Sequence, residues 1–170
     1  MSTRRRWPPR FLAALTLGVV APLAGCGFHL QGVSRLSPAF ENTYLVAEDR
    51  YTDFHRSLSQ ALRASGSHVL ESVDGAGATV EVLTDDSGQR VLSVSATNTP
   101  TEYEVYYTVK YRVRIGTREV LPPQTLTQTR DYSFDETAIL AKEQEQDIIR
   151  RALAHDIAAL VLRRLAALAP

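Results

Sequence analysis

From Glu104 to Ile115 the chain alternates without a break. Val105, Tyr107, Val109, Tyr111, Val113 and Ile115 fall on one side, and Glu104, Tyr106, Thr108, Lys110, Arg112 and Arg114 on the other. A strict period of two over this length specifies a strand with one face on a core and the other against water or something polar. Such a strand is not stable alone; it needs neighbours in a sheet and a second layer over its apolar face. The end of the chain supplies that layer. Roughly Ala138 to Leu168 reads as a long helix, and Ile149, Leu153, Ile157, Leu160, Val161, Leu165 and Leu168 trace one apolar stripe along it. Asp147 precedes Arg151 by four residues, the favourable order for a helical ion pair.

The remaining segments fill in a sheet and one more helix. Thr43 to Val46 is a short strand, with Pro38 and Asn42 in the loops before it. Thr52 to Ser65 is a helix: Phe54, Leu58, Ala61 and Leu62 recur at helical spacing, Thr52 or Asp53 can cap its start, and Gly66 can stop it. Val69 to Val73 reads as a short strand and Gly75-Ala76-Gly77 as a turn. Thr79 to Leu83 and Arg90 to Ala96 read as two strands of a hairpin, with Asp85-Asp86-Ser87-Gly88 turning between them. Thr97 to Thr101 is a polar connection, and Leu126 to Phe134 is another extended segment, irregular at its start because of Pro122-Pro123. The expected fold is α+β, with two helices packed on one face of a mainly antiparallel sheet of about four strands.

The first 25 residues read as an address. Arg4, Arg5, Arg6 and Arg10 precede an apolar run from Phe11 to Ala24, too short for a good permanent span and organised like a secretory signal. Without that segment 15 basic residues face 19 acidic ones, a formal charge of −4, which is a poor footprint for binding nucleic acid. Cys26 is the single cysteine of the chain, so no internal disulfide can form. Leu23-Ala24-Gly25-Cys26 resembles the lipobox of bacterial lipoproteins, which implies cleavage before Cys26 and lipidation of that residue. More than one acyl chain is needed to hold a soluble domain on a membrane. Gly27 after the cysteine implies delivery to the outer membrane. Residues 26–170 are then a single mature domain.

Catalytic chemistry finds no support. Gly75-Ala76-Gly77 lacks the lysine and helix of a phosphate loop, and His29, His55, His68 and His155 are scattered without a close pair. No serine sits in a nucleophile elbow, and Glu143, Glu145 and Asp147 read as a solvated helix turn. Neither an enzyme, a metal nor a cofactor is expected.

Three segments carry a closer resemblance. Cys26-Gly27-Phe28-His29-Leu30-Gln31-Gly32 stands directly after the signal; Thr101-Glu102-Tyr103 leads into the alternating strand; and Ala138 to Ile149, with Ala141-Lys142-Glu143-Gln144-Glu145-Gln146-Asp147 inside it, opens the last helix. In this order the chain resembles the LPS-assembly lipoprotein family, LptE or RlpB. The resemblance implies a non-enzymatic outer-membrane lipoprotein. Such a protein plugs the large LptD β-barrel from the periplasmic side, helps it assemble, and assists lipopolysaccharide delivery to the outer leaflet. Direct lipopolysaccharide binding is implied as well. Lys142 and Arg130 match family basic residues, whereas Ala96 stands where the family carries another.

A ligand with phosphates and carboxylates above acyl chains needs fixed cations. Arg90, Lys110, Arg112 and Arg114 join Lys142 and Arg130 as candidates for that role, and parity puts Lys110, Arg112 and Arg114 on one face; Arg118 lies nearby. A barrel wall calls for aromatic contacts, for which Tyr103, Tyr106, Tyr132 and Phe134 are candidates. The competing readings are a stand-alone periplasmic glycolipid-binding lipoprotein, which needs a sizeable apolar groove, and an envelope hydrolase, which needs a convergent catalytic set.

Overall fold

A computed structural model describes residues 36–133 and 139–168, without the side chains of residues 139–142. All of them belong to one unit, Val33–Pro170. The signal segment, Cys26 and Phe134 lie outside the described residues, as does the side chain of Lys142.

A 3-10 turn at Pro38–Phe40 leads into β1 (Asn42–Val46), α1 (Asp53–Ala64), β2 (His68–Leu70), β3 (Ala78–Val94), β4 (Pro100–Ile115), β5 (Arg118–Ser133) and α2 (Ile139–Ala167). The strands form one sheet in the order β2-β1-β3-β4-β5. The long strands β3, β4 and β5 pair antiparallel, while β1 runs parallel to both β2 and β3. Parallel neighbours need a crossover, and α1 supplies it between β1 and β2. The architecture is the α+β arrangement expected, with a fifth, short strand at the parallel edge.

Local chemistry accounts for the element ends. The Thr52 side chain accepts a hydrogen bond from the His55 amide at 3.1 Å and caps α1, while Gly66, at φ +88°, lets the chain leave it. At Gly77 a Cβ would stand 2.6 Å from the Ala39 carbonyl oxygen, so only glycine lets these two backbones approach.

One expected turn does not exist. Asp85-Asp86-Ser87-Gly88 lies inside β3, which runs unbroken from Ala78 to Val94 and pairs with β4 through Asp85↔Val109, Asp86↔Thr108, Ser87↔Tyr107 and Gly88↔Tyr106. Ladder pairing with the long strand β4 outweighs the turn preference of these four residues. A bulge at Leu83 accommodates the change, because it shifts the register between Val82 and Thr84. Gly88 is covered by the Tyr106 ring, whose hydroxyl would stand 2.6 Å from any Cβ there. In β5, Pro122 and Pro123 sit at a register shift on the sheet edge, where a missing N–H breaks no ladder.

The core lies between one sheet face and both helices. Val80, Val105, Val109, Tyr111 and Val113 from the sheet pack with Phe54, Leu58 and Leu62 of α1 and with Leu153, Ile157, Val161 and Leu165 of α2. α2 spans 29 residues, about 43 Å at 1.5 Å per residue, so it runs along most of the long strands. Arg150, not Arg151, takes Asp147 at 3.2 Å, and its Nε also reaches Asp53 Oδ2 at 3.1 Å.

Candidate functional site

The sheet face that the helices leave open can be read row by row from the ladder. Thr79, Arg114 and Glu119 share one row; Glu81 stands beside Arg112 in the next; then come Thr84-Lys110-Thr125, Asp86-Thr108-Thr127, Gly88-Tyr106-Thr129 and Arg90-Glu104-Asp131. Tyr44 pairs with Thr79 and Val46 with Glu81, so β1 extends the same rows with apolar side chains. The face is thus rich in threonine and charge, with an apolar margin.

Its cations are not equivalent. Arg112 donates to Glu81 twice, from Nε to Oε2 at 2.7 Å and from Nη2 to Oε1 at 3.0 Å, and its Nη1 lies 3.9 Å from Glu119 Oε2. The two hydrogen bonds from Arg112 hold the Glu81 carboxyl below its ordinary pKa and raise that of Arg112 itself. Arg90 is ion-paired with Glu104. Among the described residues, Lys110 and Arg114 have no carboxylate within ion-pair distance, and the Nε of Arg114 is shut off from solvent without a hydrogen bond.

Other candidates fall elsewhere. Arg130 opposes Val105 in the ladder, so it points to the helix side, where Asp156 of α2 lies 3.6 Å away. Tyr103 and Tyr132 are also on that side, stacked with centroids 5.8 Å apart. Tyr132 is only 8% exposed and donates to Gln89 Oε1 at 2.9 Å. Among the described aromatic candidates, Tyr106 alone stands on the open face, over Gly88. Ala96 is exposed in the uncharged connection that closes β3 and β4 at Asn98, φ 63°.

Sequence reasoning missed one cluster. Tyr107 Oη donates to Asp85 Oδ1 at 2.7 Å and accepts from the Phe54 amide at 3.2 Å, tying β3 and β4 to the start of α1. Burial first, and then Asp85, push the Tyr107 phenol above its ordinary pKa. Asp53 next to it holds both Arg56 and Arg150. A shallow cavity of about 260 Å³ lies here, lined by Tyr51, Asp53, Arg56, Asp85, Tyr107 and Arg150 among others. Asp53 meets both arginines and Tyr107 meets Asp85 Oδ1, which makes the cluster a joint between layers, while Asp85 Oδ2 is shut off from solvent without a hydrogen bond. The signal was a tyrosine on an apolar face, whose hydroxyl must find a partner inside.

With this geometry in hand, the chain can be set beside known proteins. A family model described as LptE, lipopolysaccharide-assembly, matches residues 40–165. The LPS-assembly lipoprotein LptE of Pectobacterium atrosepticum is 26% identical over 156 residues, covering 91% of this chain and 84% of that protein. The solution structure of an uncharacterized lipoprotein B from Nitrosomonas europaea superposes with a TM-score of 0.70 at 25% identity, over 83% of this chain and 91% of the other. The crystal structure of rare lipoprotein B from Shewanella oneidensis gives 0.65 at 24% identity, over 74% and 94%, and shares the fold.

Proposed function

Because this chain belongs to the LptE family of lipopolysaccharide-assembly proteins, we propose that it is a non-enzymatic outer-membrane lipoprotein that plugs the LptD β-barrel, helps it assemble and assists lipopolysaccharide delivery to the outer leaflet. The observation that carries this reading is the extent of the family match, which takes in nearly the whole described domain, from Phe40 to Leu165. Cys26 carries the lipid anchor, and the domain sits on the periplasmic side within the barrel lumen. A large barrel has a polar interior, and the open face, with its rows of threonine and paired charge, suits such a surroundings better than lipid. Tyr106 meets the wall from that face; Tyr103, Tyr132 and Phe134 are the further aromatic candidates for that contact, of which Tyr103 and Tyr132 stack on the helix side. The domain also binds lipopolysaccharide directly, through cations drawn from Arg90, Lys110, Arg112, Arg114, Arg130 and Lys142. No nucleotide or other cofactor takes part.

The test is extraction of the full-length lipoprotein from its native membrane in mild detergent, through an affinity tag after Pro170, with mass identification of what accompanies it. One large outer-membrane barrel at near-equal stoichiometry is expected, and an N-terminal peptide with acyl mass on Cys26. A solitary lipoprotein would overturn the plug reading and favour the stand-alone glycolipid binder; an unmodified Cys26 would overturn the anchor. Tyr106→Ala should reduce barrel recovery without altering the fold.

A further inference from the structure

The basic residues of the long strands are separated by their partners. Glu104 occupies Arg90 and Asp156 occupies Arg130. Arg112 takes Glu81 in two hydrogen bonds and draws Glu119 as well, although Glu119 stands opposite Arg114 in the ladder. Both carboxylates of this end of the face therefore gather on the middle arginine, and among the described residues Lys110 and Arg114 have no carboxylate at ion-pair distance, although the Arg114 charge still acts on Glu81 from farther off. They flank Arg112 at equal spacing, four residues apart on one side of β4. At about 3.3 Å per residue their Cα atoms are ~13 Å apart. β4 is paired on both edges, so the ladder sets that separation and no loop can change it.

The surroundings suit an anionic amphiphile. Thr84 and Thr125 flank Lys110 in its row, and Thr79 flanks Arg114, so hydroxyl donors stand beside each charge. On the same face, Tyr44 and Val46 of β1 and Leu70 of β2 are half-buried apolar neighbours, beginning two strands, or about 10 Å, from the cations.

We infer that Lys110 and Arg114 form a two-point site for a saccharide headgroup carrying two phosphates, and that Arg112 is a positioning residue that keeps Glu81 and Glu119 off them. The inference rests on the lipopolysaccharide-assembly reading and says where, and by what charge spacing, such a headgroup is held. A single phosphate engages one cation. Two phosphates across a disaccharide engage both, and each charge-assisted contact is stronger because neither cation is held in an ion pair.

The test uses the full-length lipoprotein in detergent and a water-soluble, acyl-free glucosamine disaccharide bearing two phosphates, titrated calorimetrically beside its monophosphorylated form and beside inorganic pyrophosphate. The bis-phosphate is expected to bind at least ten-fold more tightly than either. Lys110→Gln and Arg114→Gln should each bring it down to the monophosphate level. Arg112→Gln should weaken it too, because the freed carboxylates turn to the flanking cations; adding Glu81→Gln to that variant should restore most of the affinity, a rescue that a merely structural arginine would not give. Equal binding of pyrophosphate would overturn the spacing argument, leaving a generic anion contact. Headgroup binding indifferent to Lys110 and Arg114 would overturn the site while direct binding stands. No binding of any headgroup would overturn both, yet recovery of the barrel in the extraction experiment would still support the plug.

Discussion

Tyr107 and Tyr111 stand four residues apart on the same side of the same strand, and their hydroxyls meet opposite fates. Tyr107 Oη has Asp85 and the Phe54 amide; Tyr111, fully buried, has no hydrogen-bond partner for its hydroxyl. Replacing Tyr111 with Phe removes an unsatisfied buried group and should raise stability by about 1 kcal/mol, whereas Tyr107→Phe strands Asp85 and should cost ~1–3 kcal/mol; urea unfolding midpoints separate the two. His55 offers a pH test. Burial first, and the Arg50 charge second, outweigh the Leu45 carbonyl and the Asp85 and Asp49 carboxylates and lower its pKa below 6.5. The unfolded chain therefore takes up a proton near pH 6.5 that the folded chain refuses until lower pH, so stability falls as pH drops through that window and the loss levels off once the folded histidine protonates. His55→Gln should flatten the unfolding midpoint between pH 7.5 and 5. The contribution of Glu81, whose pKa is also lowered, is lost separately, as pH falls below 4.5. Little of this was legible residue by residue. The alternation put both tyrosines on the apolar face, but which hydroxyl finds a partner depends on Asp85, 22 positions before Tyr107.

Among the elements, α1, β4 and α2 were readable because each carries its own period. Phe54, Leu58 and Leu62 are buried at helical spacing, odd positions from Val105 to Val113 are buried along β4, and Ile149, Leu153, Ile157, Val161 and Leu165 are buried along α2. β3 was not readable. Its middle, Asp85 to Gly88, has turn composition and becomes strand only because β4 and β5 are long enough to pair beyond it. The bulge at Leu83 sets which of its residues face the helices: Val82 and Asp85 point the same way although three positions apart. Deleting Leu83 should remove the bulge and leave a plain alternation in which Asp85, Ser87 and Gln89 keep the helix side and Thr84, Asp86 and Gly88 keep the open face. A folded deletion with an unchanged near-ultraviolet circular dichroism spectrum is the expected result; loss of the cooperative unfolding transition would show that Leu83 is not merely the extra residue of the bulge.

In the molecule as a whole, the sequence by itself determined an α+β domain, the identity of both helices, and the side of β4 on which each residue stands. These follow from periodicities over neighbouring residues, which express how a helix or a pleated strand must bury one side. Only the tertiary structure decided the parallel placement of β1, the continuity of β3, and the partition of the aromatic and basic candidates between two faces. Tyr106 looks outward while Tyr103 and Tyr132 stack on the helix side; Arg90, Arg112 and Arg130 are each ion-paired with a carboxylate from another element, and among the described residues Lys110 and Arg114 have none at ion-pair distance. Strand pairing and ion pairing join segments far apart in the chain. Their energy depends on which partner arrives at hydrogen-bonding distance, and no local pattern of residues contains that distance.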